Sequence, residues 1–210
     1  MRLQRPLILA SASPRRAALL AQIGVEFLIR VADVPEPAPA PGADLRDWAK
    51  TTAARKAQAV AADASAPIPA LILAADTVVL LPAELTCDAP LLDGHPVHVL
   101  GKPRDAADAG RMLALLSGRE HSVLTAFALL AIPEHQWTLT AVTTRVRFRP
   151  LSAADIAAYL AGGEPLDKAG AYGIQGRGAV LIAEIIGDYY TIVGLPLAEL
   201  WGALAAWRVE

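Results

Sequence analysis

Cysteine is nearly absent from the 210-residue chain, where Cys87 stands alone. No intrachain disulfide can form and no cysteine pair can build a zinc knuckle, which fits a reducing compartment. Charge of one sign is equally scarce. Nineteen Lys and Arg face 21 Asp and Glu, a formal net charge of −2. No global basic field draws such a chain to a nucleic-acid backbone, and an anionic ligand needs a local cluster of cations. Aromatics make up only 5%. Trp48, Trp137, Trp201 and Trp207 have no basic stripe beside them, which argues packing rather than base stacking, so nucleic acid is not an expected partner. Long hydrophobic runs are missing too. The best stretch, Val123 to Ile132, falls well short of the roughly 18 residues of a membrane span and contains Thr125. Leu7 to Leu9, behind Arg2 and Arg5, is too short for a signal-peptide core of roughly 7–15 residues. No membrane partner is expected, and the expected location is the cytoplasm.

What is present is apolar substance. Hydrophobic residues reach 54% and charged ones 19%, a balance that excludes intrinsic disorder. The length suits one compact unit, no Gly/Ser linker divides it, and a single domain over residues 1–210 is expected. Pro6 to Ala10 reads as a buried strand. Ser13-Pro14 opens a helix that Gly24 closes, with Ser as N-cap and Pro at the first helical position. Val25 to Val31 reads as a strand, and Pro35, Pro37, Pro39 and Pro41 make an extended loop. Asp44 caps an alanine-rich helix to about Asp63, followed by a buried strand Leu71 to Ala75, with Asp76-Thr77 at its end or inside it if the run continues to Leu81. Residues 82–100 read as a loop or irregular hairpin. Asp105 and Gly118 bound a helix, and stretches near 121–131 and 137–148 form an antiparallel pair around Pro133-Glu134. A capping-box-like Ser152 to Asp155, a glycine-rich stretch Gly170 to Gly178, a strand Ala179 to Ile186, a turn at Gly187-Asp188 and a helix after Pro196 complete the chain. The class is α/β with a mixed sheet.

Four constellations could carry chemistry. Ser11-Ala-Ser13-Pro14-Arg15-Arg16, between strand and helix, supplies helix-start N–H groups, hydroxyls and guanidinium groups suited to phosphate; a capped helix with two solvated arginines accounts for it equally well. Asp76, leaving an apolar strand, can orient water or hold a metal, or be a turn residue. Glu36 is a candidate second carboxylate or a solvated loop residue. Lys102, between Gly101 and Pro103, and Lys56 on its helix can neutralise a polyphosphate as point charges, although most lysines are simply solvated. Asp167 to Gly176 gathers permissive glycines around polar side chains, as a close-fitting ligand loop does. His95 and His98, without a nearby Cys or HExxH pattern, make a weak zinc signal.

These residues have a familiar order. ASASPRR at 10–16, Glu36, Arg55-Lys56-Ala57, AADTVV at 74–79, GKPRD at 101–105, DKAGAYGIQG at 167–176 and VGLPL at 193–197 together resemble the Maf family of nucleoside triphosphate pyrophosphatases, in matching order across nearly the whole chain. The DKAGAYGIQG form is similar to that of the subgroup acting on dTTP and UTP. The resemblance implies a mixed twisted sheet flanked by helices, bilobed around a central cleft. It implies hydrolysis of pyrimidine nucleoside triphosphates, modified ones included, to monophosphate and pyrophosphate, which cleans the nucleotide pool.

Residue by residue, the resemblance makes Asp76 the catalytic acceptor of a proton from the attacking water. Arg15, Thr77 and Gln175 match positions linked to substrate choice, and Ser11, Arg16, Lys56, Lys102 and Lys168 match polar positions around the triphosphate. Glu36 and Asp76 match a site for a divalent cation, Mg²⁺ or Mn²⁺, and a homodimer is the implied assembly. One departure is the longer stretch at 82–100, an insertion holding Cys87, His95 and His98 that could alter substrate entry, metal preference or dimer contacts. Two other classes compete: a nucleotide-binding regulator of septum formation with incidental hydrolysis, and a pyrophosphatase for cofactor or sugar-nucleotide diesters. A pure sensor does not need an acid aimed at water, and no GxGxxG fingerprint supports the diesterase.

Overall fold

Apolar runs become the strands of one sheet in the computed structural model, which describes residues 2–31, 33–63, 67–83 and 89–209. Cys87 lies outside them. Strands β1 (Leu7–Leu9), β2 (Phe27–Ile29) and β3 (Ala70–Pro82) run parallel, and β3 continues antiparallel through β6 (Glu120–Ile132), β7 (Gln136–Phe148) and β8 (Ile182–Ile186). Between β3 and β6 lie the short β4 (Leu91–Leu92) and β5 (His95–Leu100), β5 pairing with both β3 and β4.

The helices start where their caps require. Ser13 accepts from the Arg16 N–H at the head of α1 (Pro14–Gln22), and Asp44 accepts from Arg46 and Asp47 at the head of α2 (Leu45–Ala61). Asp105 caps α3 (Ala106–Leu116), and Ser152 with Asp155 closes a reciprocal capping box on α4 (Ala153–Leu160). Helices α5 (Tyr189–Val193) and α6 (Leu197–Ala203) end the helical series.

Side-chain alternation along β3 divides the core into layers. Its even positions Ala70, Ile72, Ala74, Val78 and Leu80 face α2, whose Ala49, Ala53 and Ala57 recur every four residues and are fully buried. Its odd positions face the other way: Leu71, Leu73 and Ala75 pack on α1 and α6, and Val79 and Leu81 pack on α3.

The feature that makes a site is a fork. On one side β3 pairs with β6 from Ala70 to Leu80. On the other, Leu71–Leu73 pair with β1 and Val79–Pro82 with β5, so residues 74–78 have no strand beside them there among the described residues.

Two readings left open by the sequence are decided and a third changes. Asp76 and Thr77 lie inside β3, because the apolar run continues without a breaker to Leu81. Of the 82–100 stretch, read as a loop or irregular hairpin, residues 89–100 form the β4–β5 hairpin and are built into the fold: β5 extends the sheet, Leu91 N–H donates to Ala43 C=O at 2.9 Å, and Arg46 Nε donates to Asp93 Oδ1 at 2.6 Å. The stretch Ala179 to Ile186 is a strand only from Ile182, since Gly176–Leu181 winds as a 3₁₀ helix.

Candidate active site

The fork opens into a cleft of about 770 Å³. Among the described residues, five cations line it, Arg15, Arg16, Lys56, Lys102 and Lys168, against three carboxylates, Glu36, Asp76 and Asp167. The chain's overall negative balance is therefore locally inverted, which is the local cluster an anionic ligand needs. Ser11, Thr77 and Gln175 line the same cleft, so every site residue expected from the sequence meets there.

Asp76 and Thr77 are consecutive on β3, so they project to opposite faces at the fork. On the α2 face, Lys56 Nζ contacts Asp76 Oδ1 at 2.7 Å and Glu36 Oε1 at 2.7 Å. Asp76 is 6% exposed. Glu36 comes from the proline-rich loop, which Trp48 of α2 ties down by donating Nε1–H to Pro37 C=O at 3.2 Å. These two carboxylates supply hard oxygen ligands converging on a point of positive charge, the donor chemistry that suits Mg²⁺ or Mn²⁺. Among the described residues no third acidic, His or Cys ligand joins them. A divalent ion held by these two carboxylates would need its other ligands from water or a bound anion, as Mg²⁺ commonly does. The residues present fit the ion.

On the opposite face, Arg16 is held at three points: Nε–H to Gly194 C=O at 2.9 Å, Nη1–H to Ser11 Oγ at 3.0 Å and Nη2–H to Thr77 Oγ1 at 3.2 Å. Burial pulls its pKa below the ordinary guanidinium value, while the charges of Asp76 and Glu36 oppose that pull. Ser11 also accepts the N–H of Ser13 at 3.2 Å, so the strand-to-helix turn is braced by the side chain that braces Arg16.

A third group closes the cleft rim. Asp167 accepts from Arg15 Nη1 at 3.1 Å and from Lys168 Nζ at 2.6 Å, and Lys168 Nζ also donates to Glu164 C=O at 2.6 Å. Burial alone would raise the Asp167 pKa, but Lys168 and Arg15 together hold it below the ordinary carboxylate value. Gln175 and Lys102 are exposed at the cleft. The loop around Gln175 is shaped by close approach: at Gly178 a Cβ would lie 2.0 Å from Gly173 C=O, and at Gly173 it would lie 2.8 Å from Lys168 Cε. Tyr159 Oη accepts the Gly173 N–H at 3.2 Å, and burial raises the Tyr159 pKa to about 12. Behind the wall, Tyr172 Oη pairs with Nε2 of the buried His121 at 2.8 Å.

Sequence reasoning missed Thr125, Thr191 and Gly194, which carry the Arg16 side of the site. The available signal was the single hydroxyl in the apolar run of β6. His95 and His98 are exposed, and of the described residues in 82–100 only Val99 lines the cleft.

The family described as Maf-like protein matches residues 6–207. The chain belongs to the Maf family. Its similarity to named relatives spans nearly the whole chain. It is 45% identical over 207 residues to the dTTP/UTP pyrophosphatase of Moorella thermoacetica, covering 97% of this chain and 96% of that one. It is 47% identical over 192 residues to the dTTP/UTP pyrophosphatase of Symbiobacterium thermophilum, covering 91% and 88%. It is 46% identical over 200 residues to the one of Salmonella typhimurium, covering 95% and 91%. The α/β fold with a mixed sheet flanked by helices is that expected of a Maf protein.

Proposed function

We propose that this Maf protein hydrolyses dTTP and UTP to the nucleoside monophosphate and pyrophosphate. The observation that carries the reading is the buried carboxylate of Asp76 on the floor of a cleft lined by five cations, in a chain whose relatives are dTTP/UTP pyrophosphatases. A nucleoside triphosphate bears about four negative charges, and attack on it needs cations aimed at the charge that develops.

In this reading Arg16, Lys102 and Lys168 hold phosphate oxygens, with Arg15 at the rim and Gln175 placed for the nucleoside. Arg16 supplies a fork: three of its five N–H groups are held by the protein, which leaves two for the ligand. Lys56 occupies Asp76 Oδ1, and Oδ2 accepts a proton from the attacking water. The water oxygen bonds to the α-phosphorus as its bond to the α,β-bridging oxygen breaks, and pyrophosphate departs with that electron pair. A positioned base contributes roughly 10²–10⁴ in rate. Glu36 and Asp76 would hold Mg²⁺ or Mn²⁺, which when bound neutralises phosphate charge.

The test is pyrophosphate release from a panel of nucleoside triphosphates with Mg²⁺ or Mn²⁺ and with chelator, beside Asp76→Asn. Expected are turnover of dTTP and UTP with monophosphate as co-product, loss in chelator, and a fall of at least about 10²-fold in the variant. Absence of turnover on every triphosphate, with nucleotide binding retained, would sink the proposal.

A further inference from the structure

Thr125 is a fully buried hydroxyl on β6, directly opposite Thr77 of β3 in the antiparallel register. Its Oγ1 lies 2.9 Å from Thr77 Oγ1 and 2.7 Å from Thr191 C=O in α5. A hydroxyl has one proton, and a carbonyl can only accept. The proton of Thr125 therefore goes to Thr191 C=O, and Thr125 must accept from Thr77. Thr77 in turn receives an N–H from Arg16 Nη2, which can only donate. All three bonds run one way, from Arg16 through Thr77 and Thr125 to the α5 backbone.

The far end of this relay is anchored. Thr191 N–H and Oγ1–H both donate to Asp188 Oδ2, at 2.6 and 2.7 Å, and Thr144 Oγ1 of β7 donates to Asp188 C=O at 2.8 Å. Gly194, the residue directly after the end of α5 at Val193, supplies the carbonyl that holds Arg16 Nε. The same α5 segment thus holds Arg16 directly at one nitrogen and through two hydroxyls at another.

We infer that Thr125 is a positioning residue for Arg16, and that it commits the Thr77 proton so that Thr77 offers an incoming ligand lone pairs only. A phosphate oxygen needs a donor, so at this point of the cleft it is directed to the remaining N–H groups of Arg16 rather than to the Thr77 hydroxyl. Thr77, expected from the resemblance to bear on substrate choice, acts on the anion through the arginine it steadies. The inference rests on the proposed binding of a triphosphate, but it concerns the aim of a cation and can be read without hydrolysis.

The experiment is calorimetric binding of inorganic tripolyphosphate to full-length wild type, Thr125→Val and Thr125→Ser, repeated in an Arg16→Ala background, with UTP kinetics in parallel. Valine keeps the shape and removes the hydroxyl; serine keeps the hydroxyl. Expected are weakening of about tenfold in Thr125→Val, the size of one hydrogen bond to a charged group, and recovery to within about threefold in Thr125→Ser. The valine effect disappears once Arg16 is alanine, because residues acting through one another are non-additive. In the kinetics the loss falls on KM more than on kcat. An equal valine effect with and without Arg16, or failure of serine to rescue in a variant that melts with wild-type cooperativity, overturns the inference. Wild type that binds tripolyphosphate with the expected variant pattern but turns over no nucleotide overturns the proposed hydrolysis and leaves this inference standing.

Discussion

Lys56 Nζ stands 2.7 Å from Asp76 and 2.7 Å from Glu36, so one largely buried ammonium holds together two carboxylates from a strand and a distant loop. Removing it leaves a buried carboxylate with its countercharge gone and a loop without its anchor. Lys56→Met is expected to lower kcat/KM for UTP by about 10² or more while the protein remains folded. Steady-state kinetics beside a urea unfolding curve checks both halves of that statement.

Asp167 sits between Arg15 and Lys168 where a ligand anion would also be welcome. Its carboxylate is well exposed, so the ion pairs are screened and replaceable. Asp167→Asn frees both cations from an internal competitor. The expected outcome is tighter tripolyphosphate binding, by about threefold to tenfold at low salt, with the gain shrinking as salt rises. Calorimetry at two ionic strengths reads it, and weaker binding in the variant refutes it.

At Gly178 the constraint is backbone against backbone. A methyl group there would come within 2.0 Å of Gly173 C=O, and no side-chain rotation relieves such a contact. Gly178→Ala is expected to cost about 3 kcal/mol of stability and to weaken nucleotide binding, because Gly173 packs on Lys168. Denaturant unfolding and ligand titration of the same preparation test the two effects together.

His121 is 1% exposed, and burial pushes its pKa down from 6.5 to about 4. The folded imidazole stays neutral where the unfolded one takes up a proton, so its contribution is fully present above about pH 6.5 and is lost as pH falls toward 4. Between about pH 7.5 and pH 5 the unfolding free energy should drop by roughly 2 kcal/mol from this residue. His121→Gln should flatten that slope. An unchanged slope in the variant assigns the pH dependence elsewhere.

Much of the fold was legible because its signals are local. Ser13-Pro14, Asp44, Asp105 and the Ser152–Asp155 box begin their helices where side-chain chemistry can satisfy free N–H groups. Strand β5 was legible only as a loop or irregular hairpin because His95, Pro96 and His98 interrupt the apolar pattern, and proline is uncommon inside a paired strand. Helix α5 was hidden because Tyr-Tyr-Thr-Ile-Val favours strands, and tertiary anchoring of Asp188 overrides that preference. The cleft residues were legible as motifs. Their partnerships were not, since the contact between Glu36 and Lys56 and that between Thr125 and Thr191 depend on the path of a loop and on strand register.

The fork in the sheet gives the site a parity. Asp76 serves the α2 face and Thr77 the α1 face only because each occupies its present odd or even place on β3. One residue inserted between Leu73 and Asp76 would exchange their allegiances, turning the carboxylate toward Arg16 and the hydroxyl toward Lys56. The strand could lengthen by two and keep its faces, but never by one. These few positions are counted in pairs.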